Sequence, residues 1–282
     1  MAYKKMSWVL GALLLLSLVA QAGPTVSPVG ENLYIKVGAN SSLDDIIWVA
    51  GLGGGGRFNG YAGTTSNPST LINLWCVDSQ LTFNRGTVYQ ANILTFDSIG
   101  GSYNIRYEDL GYGSATGTDY FRIALPGSLS VPNTAPDQAA FRYRMAAWLI
   151  TQYQDGSAYD NTDYYSPDDT ARNDAIQTAI WAAMDTQGNN PNLTLSGDAL
   201  TWFNNAATFV SNNYNDPLFS RWAVVSAWVI GTSLSNTDGN PNSGLGVVQT
   251  FLTEVPEPGF YGLLALGLSG LWLAIKRRRE AA

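Results

Sequence analysis

The sequence predicts an α+β fold, a β-rich domain with a three-helix block inserted between its strands, flanked by an N-terminal signal peptide and a C-terminal single transmembrane helix. Three observations predict it. Apolar residues alternate at strand period through the first part of the chain. Between about 136 and 214 their spacing becomes helical, and after Asn215-Asp216-Pro217 the strand period returns.

Residues 31–37 place Leu33, Ile35 and Val37 on one face of a strand, and 46–49 begins a second element. Five glycines in the six positions 51–56 read as a flexible loop, because nothing there can pack. Neither a Lys-Ser or Lys-Thr pair nor a helix follows, so the run is not a phosphate loop. Residues 70–77, which include Cys76, and 87–96 read as two strands joined as a hairpin through Asn84-Arg85-Gly86. Residues 100–119 read as loop with an edge strand, and 120–125 as one more short strand.

Pro136-Asp137 opens the helical block. Ala140, Tyr143, Ala147, Leu149, Ile150 and Tyr153 share the inner side of a first helix. Ala175, Ile176, Ala179, Ile180 and Ala183 share that of a second, which starts at Ser166-Pro167 and runs to about Thr186. A third runs from 196 to 214, with Ser196 as N-cap and Leu200, Phe203, Ala207 and Val210 inward. Strands then return at 219–230 and 245–253.

Both chain ends carry membrane signals. Lys4 and Lys5 precede the apolar stretch 8–19, and Ala20-Gln21-Ala22 offers signal peptidase its small-x-small pattern, so residues 1–22 are expected to be removed. At the other end Val255-Pro256-Glu257-Pro258 precedes an apolar run, 259–275, and the basic cluster Lys276, Arg277, Arg278, Arg279. These three features in this order resemble the sorting signal of PEP-CTERM proteins, which Gram-negative and related bacteria export and hand to an exosortase-type transpeptidase. The resemblance implies signal peptidase and that transpeptidase as processing partners. It also implies at least a transient inner-membrane anchor through the C-terminal helix, then residence in the envelope, at the cell surface or outside the cell. The expected domains are 1–22, the ectodomain 23–254 and the sorting signal 255–282.

Composition narrows the chemistry of the ectodomain. Residues 23–275 hold 9 Lys and Arg against 21 Asp and Glu, a net charge of −12, which disfavours nucleic acid as a partner. Few charges and many Trp and Tyr suit an extracellular surface that contacts exopolysaccharide or another matrix polymer. The absence of His removes Ser-His-Asp and Cys-His catalysis and His-ligated zinc. One Cys, Cys76, allows no intrachain disulfide. That sulfur is then a buried core atom, paired with another molecule, or consumed in some other covalent bond.

Three patterns bear on that choice. They are Leu74-Trp75-Cys76-Val77-Asp78, Ile176-Gln177-Thr178-Ala179-Ile180-Trp181, and Val248-Gln249-Thr250-Phe251-Leu252. In this order they resemble the strand, helix and late-strand motifs of bacterial surface thioester domains, the TQXA type. Trp75 stands where Tyr, Phe or Leu is more usual, and Ile176 replaces the family's Thr. The resemblance implies that Cys76 is the thiol and Gln249 the carboxamide of an internal thioester that acylates surface amines, with Asp78, Gln177 and Trp181 in support. A thiolate is both a good nucleophile and a good leaving group, whereas an amide carbon reacts only when held close and polarised.

Blander readings stand beside this one. Cys76 fits a core position, the Gln-x-Ala-Ile-Trp box fits a packing helix, and Gln249 fits an exposed place on the terminal strand. Five carboxylates between Asp155 and Asp169 have the chemistry of calcium ligands without EF-hand spacing, and a solvated, helix-capping loop accounts for them. Nothing singles out two carboxylates for glycoside hydrolysis, which leaves a carbohydrate-active enzyme as an alternative. The expectation is thus a structural or adhesive envelope or extracellular-matrix protein without enzymatic turnover, cofactor or metal, the thioester adhesin being its reactive alternative.

Overall fold

The computed structural model describes residues 29–38, 45–49, 52–79, 82–99, 121, 123–127, 129, 135–153, 167–185, 193–231, 248–255, 267–272 and 275–277. Its strands are β1 (Gly30–Val37), β2 (Asp45–Val49), β3 (Gly53–Gly63), β4 (Thr70–Cys76), β5 (Val88–Thr95), β6 (Trp222–Trp228) and β7 (Phe251–Glu254). Helices α1 (Ala135–Ile150), α2 (Pro167–Met184) and α3 (Gly197–Asn212) stand between β5 and β6, so the expected α+β order holds.

All the strand pairs are antiparallel, in the order β1-β5-β6-β7-β4-β3-β2. A further pairing, β1 with β3, joins the first strand of that row to the next to last and closes a barrel from which β2 extends. The long β3 makes the closure possible. Its first half pairs with β2, its second half with β1, and its opposite edge with β4. Closure gives β1 a partner on both sides and leaves β2 as the edge strand. Leu33, Ile35 and Val37 alternate inward as predicted, with Ile72 and Leu74 of β4 among the buried residues beside them. β6 is buried along its whole length, which explains its continuous apolar run.

The helices pack on one another, and α1 also meets the 3-10 turns Phe96–Ser98 and Pro217–Arg221 at the ends of β5 and β6. α1 is enclosed on nearly every side, and two arginines go in with it. Arg142 donates from Nη1 to Ala183 O at 2.9 Å and from Nη2 to Ile123 O at 2.8 Å, with its guanidinium 4.1 Å from the centre of the Phe121 ring. Arg144 donates from Nε to Tyr214 O at 3.1 Å and lies over the Tyr214 ring. Carbonyls and aromatic faces thus offset the desolvation of both cations, and Arg142 satisfies a carbonyl near the C-terminal end of α2.

Several expectations need correction. Gly53–Gly56 is not a loop but the start of β3, paired residue for residue with Val49–Ile46. The turn at Asn84–Gly86 exists, with Gly86 at φ 76° and the Thr87 N–H on Asn84 O, yet it makes no hairpin, because β6 and β7 lie between β4 and β5. Among the described residues of 120–125, where a strand was expected, Phe121 is a bridge residue and 123–125 are not strand. The segment before β6 is a 3-10 turn capped by the Asp216 side chain. Ser196 holds the N-cap position of α3 without a side-chain capping bond, and Leu200 is 41% exposed rather than inward.

The expected signal peptide, the expected loop at 155–166 and residues 256–266 lie outside the described residues. Of the expected transmembrane helix, 267–272 and 275–277 are helical and exposed. Among the described residues no helix is long and apolar enough to cross a membrane.

Candidate functional site

Strand register brings the sulfur and the carboxamide together. Cys76, the last residue of β4, is the partner of Phe251, and Trp75 is the partner of Leu252. The ladder continues one step beyond, where Val77 N–H donates to Thr250 O at 3.3 Å. Gln249 therefore falls diagonally across from Cys76 on the side of the pair that Cys76 and Phe251 face, within reach of a long side chain. Gln249 Nε2 donates both to Cys76 Sγ and, at 2.6 Å, to Asp78 O. The thiol donates to the same Asp78 carbonyl at 3.5 Å.

Helix α2 closes this pair from one side. Gln177 and Trp181 are four residues apart and so share a face of the helix. The Trp181 indole N–H donates to Cys76 Sγ at 3.4 Å. Gln177 Nε2 donates to Cys76 O at 3.1 Å, and its Oε1 accepts from Gly56 N–H at 2.7 Å and from the Tyr153 hydroxyl at 2.8 Å. Two of these bonds fix the backbone of the cysteine against β3, and the third ties the carboxamide to Tyr153, just beyond the end of α1.

The glycines of β3 make this approach possible. A Cβ on Gly55 would stand 2.6 Å from Gln177 Cδ and 2.7 Å from Trp181 Cζ2, closer than atoms tolerate. Gly55 and Gly56 are thus the part of the site that sequence reasoning missed, along with Tyr153, whose ring also stacks on Trp75 at 5.5 Å between centroids. The available signal was a glycine run bounded by strand-like residues, which marks a close backbone approach as readily as a loop.

Cys76, Asp78, Gln177, Trp181 and Gln249, picked out separately in the sequence, therefore meet at one place. Gln249, expected as a possible surface position on the terminal strand, is only 5% exposed, and Cys76 only 1%. Burial pushes the Cys76 thiol up to about 12. The Trp181 hydrogen bond pulls the other way, the nearby Asp78 charge adds to the rise, and a backbone hydrogen bond with Asp78 subtracts from it. A free sulfur in this setting is a protonated thiol at neutral pH.

The arrangement sets a thiol against the amide it would attack, inside a shell of neutral donors, indole and backbone with the buried Asp78 carboxylate nearby. Among the described residues no group of three or more His, Cys, Asp or Glu is placed to hold a metal ion. No family model, curated protein or solved structure matches the chain.

The rest of the predicted site residues concern sorting. Val255 is buried at the end of β7 and donates its N–H to Arg221 O at 2.7 Å, so it belongs structurally to the barrel. Pro256, Glu257, Pro258, Arg278, Arg279, Ala20 and Ala22 lie outside the described residues, while Lys276 and Arg277 lie on the exposed helical segment 275–277.

Proposed function

We propose that this chain is an exported, C-terminally sorted bacterial envelope protein whose ectodomain forms a thioester between Cys76 and Gln249 and uses it to attach to amine-bearing surfaces. The placement of the Gln249 carboxamide on Cys76 Sγ, in a buried pocket, carries the reading. Bond formation needs no outside reagent. Sulfur attacks Gln249 Cδ, the C–Nε2 bond breaks, and the thiol proton leaves with the nitrogen as ammonia. The protonation state that burial imposes on Cys76 is thus the one the overall stoichiometry requires.

The product is an acyl group on a good leaving atom, shielded from water by Trp181 and Gln177. An amine that reaches Cδ would take the acyl group, forming an amide and returning the thiol. Each molecule reacts once, so the protein acts as an adhesive rather than an enzyme with turnover. Its placement outside the cytoplasm rests on the two terminal signals, with signal peptidase and an exosortase-type transpeptidase as processing partners.

Intact mass of the protein purified from cells tests the bond. The expected mass is low by one ammonia, and the deficit is absent from Cys76→Ala and from Gln249→Ala. A full mass with a thiol that titrates after unfolding would leave only a packed core cysteine. Sorting is tested apart from this by deleting 256–282, sparing Val255 because it is part of the barrel. Undiminished envelope retention of that truncated chain would remove the sorting role.

A further inference from the structure

We infer that Trp181 is a catalytic residue of the attachment step, its indole N–H stabilising the negative charge on Cys76 Sγ as an amine displaces sulfur from Gln249. This rests on the thioester reading and goes beyond the shielding role that the helix motif implies.

The argument starts from where charge develops. When an amine nitrogen attacks Gln249 Cδ, the C–N bond forms, the C–S bond breaks, and the electron pair leaves on Cys76 Sγ. The attacking nitrogen then gives up its proton to the sulfur. At the moment of C–S cleavage the sulfur carries negative charge in a place that is almost wholly enclosed. Burial is the main reason the free thiol there resists ionisation, and the one carboxylate acting on it, that of Asp78, has the wrong sign to help.

Three groups are seen to touch the sulfur. Asp78 O is an acceptor and cannot stabilise a thiolate, and the Asp78 backbone hydrogen bond that does favour charge on the sulfur contributes less than Trp181 does. Gln249 Nε2 has departed as ammonia before the attachment step begins. That leaves Trp181 as the main donor, whose N–H points at Sγ at 3.4 Å and has no acceptor function of its own. Indole cannot be deprotonated near neutral pH, so it supplies a fixed dipole without offering a competing proton transfer.

The position of the indole is built rather than incidental. Trp181 is one of the most completely buried large side chains. Its ring lies against Gly55, where a methyl group would strike Cζ2 at 2.7 Å. Gln177, one turn earlier on α2, ties the same helix face to Cys76 O and Gly56 N–H. Reorganisation of this donor during the reaction is therefore small, which is the condition under which a dipole lowers a barrier most.

The test uses two variants and methylamine, small enough to enter a closed site. Trp181→Phe removes the N–H. Benzothienylalanine incorporated at 181 keeps the bicyclic shape and replaces N–H by sulfur, so it decides the matter if the Phe variant does not fold. Intact mass is read before amine addition and then over time. The expected result is an ammonia-deficient mass in all folded proteins, with methylamine uptake slowed about tenfold or more in the variants. The effect should persist across about pH 7 to 9, below the raised ionisation of the buried thiol, where a change in amine protonation affects all proteins alike. Equal uptake rates in proteins that carry the bond would overturn the role of Trp181 alone. A full, unmodified mass in the wild-type protein would overturn the thioester and this role together.

Discussion

Two regions of the molecule bury polar side chains, and they do so with opposite chemistry. Around α1, Arg142 and Arg144 are permanent cations held by carbonyl oxygens and aromatic faces. At the end of β4, Cys76, Gln177 and Gln249 are neutral and bonded mostly to one another and to backbone. The first arrangement contains donors and acceptors with nothing to exchange. The second places a thiol beside a carboxamide, the pair that the proposed thioester would join, and among the described residues no cation is seen hydrogen-bonded to the sulfur. Burial of polar groups is therefore not itself a mark of function here. What separates scaffold from site is whether neighbouring groups can trade a bond.

The sharpest way to break that contrast is to ask whether the sulfur has a proton to lose. A buried thiol raised from 9.0 to about 12 stabilises the fold fully below pH 9, and that contribution is lost as pH rises through the folded value. Relative to Cys76→Ser, a free-thiol protein should lose about 4 kcal/mol of stability over that window, at roughly 1.4 kcal/mol per pH unit. A protein carrying the thioester has no such proton, and its stability difference from the serine variant should stay flat. Short urea titrations at pH 8, 9 and 10 measure the slope, completed before alkaline hydrolysis of the ester. A steep fall in protein whose mass lacks ammonia would contradict the thioester assignment.

Next in size is the arginine region. Arg142→Met keeps much of the aliphatic stem but strands Ala183 O and Ile123 O without their donor. The expected cost is about 3 kcal/mol in urea unfolding. The ammonia deficit should be unaffected in the fraction that remains folded. If the deficit disappears while the fold survives, the two regions are coupled through α2 and the contrast between scaffold and site is too simple.

Gly55→Ala strikes the reactive region through shape alone. The added methyl must push aside Gln177 and Trp181, because the contacts at 2.6 and 2.7 Å involve side chains locked by their own hydrogen bonds. Overpacking of this kind costs about 2 kcal/mol. The larger consequence is chemical, since a displaced indole uncovers the sulfur and leaves it without its donor. Faster hydrolysis of the bond in water is expected, followed by mass over days. A hydrolysis rate equal to wild type would mean that α2 does not shield the site.

How much of this was legible beforehand depends on which physical signal a residue carries. The alternation Leu33, Ile35, Val37 and the helical spacing through Ala140 to Tyr153 follow from burial of one face, so periodicity revealed them. The partners in the site were found only because Cys76, Gln177, Trp181 and Gln249 sit in motifs that resemble a known order. Their proximity depends on β4 pairing with β7, across a separation of more than one hundred residues that no local pattern encodes. The misplaced hairpin failed for the same reason. Asn84-Arg85-Gly86 does specify a turn, but turn chemistry says nothing about which strand lies alongside. Gly53–Gly56 failed differently, because the absence of side chains was read as freedom when here it makes room for another element. Arg142 and Arg144 carry no signal of burial in the sequence, and tertiary enclosure by Phe121 and Tyr214 makes them interior.

The smallest expected effect probes how the supporting shell is divided. Gln177 Oε1 accepts from two donors, Gly56 N–H at 2.7 Å and the Tyr153 hydroxyl at 2.8 Å. Tyr153→Phe removes one of them while keeping the ring that stacks on Trp75. Because a single neutral hydrogen bond contributes about 1 kcal/mol, unfolding in urea should move by that amount and no more. The Gly56 bond should hold the carboxamide in the orientation that presents Nε2 to Cys76 O, so the ammonia deficit should persist. Loss of the deficit in a folded Tyr153→Phe protein would show that Gly56 alone cannot orient Gln177. The reactive geometry would then depend on the end of α1 as well as on β3, and the boundary between the two buried regions would move to Tyr153.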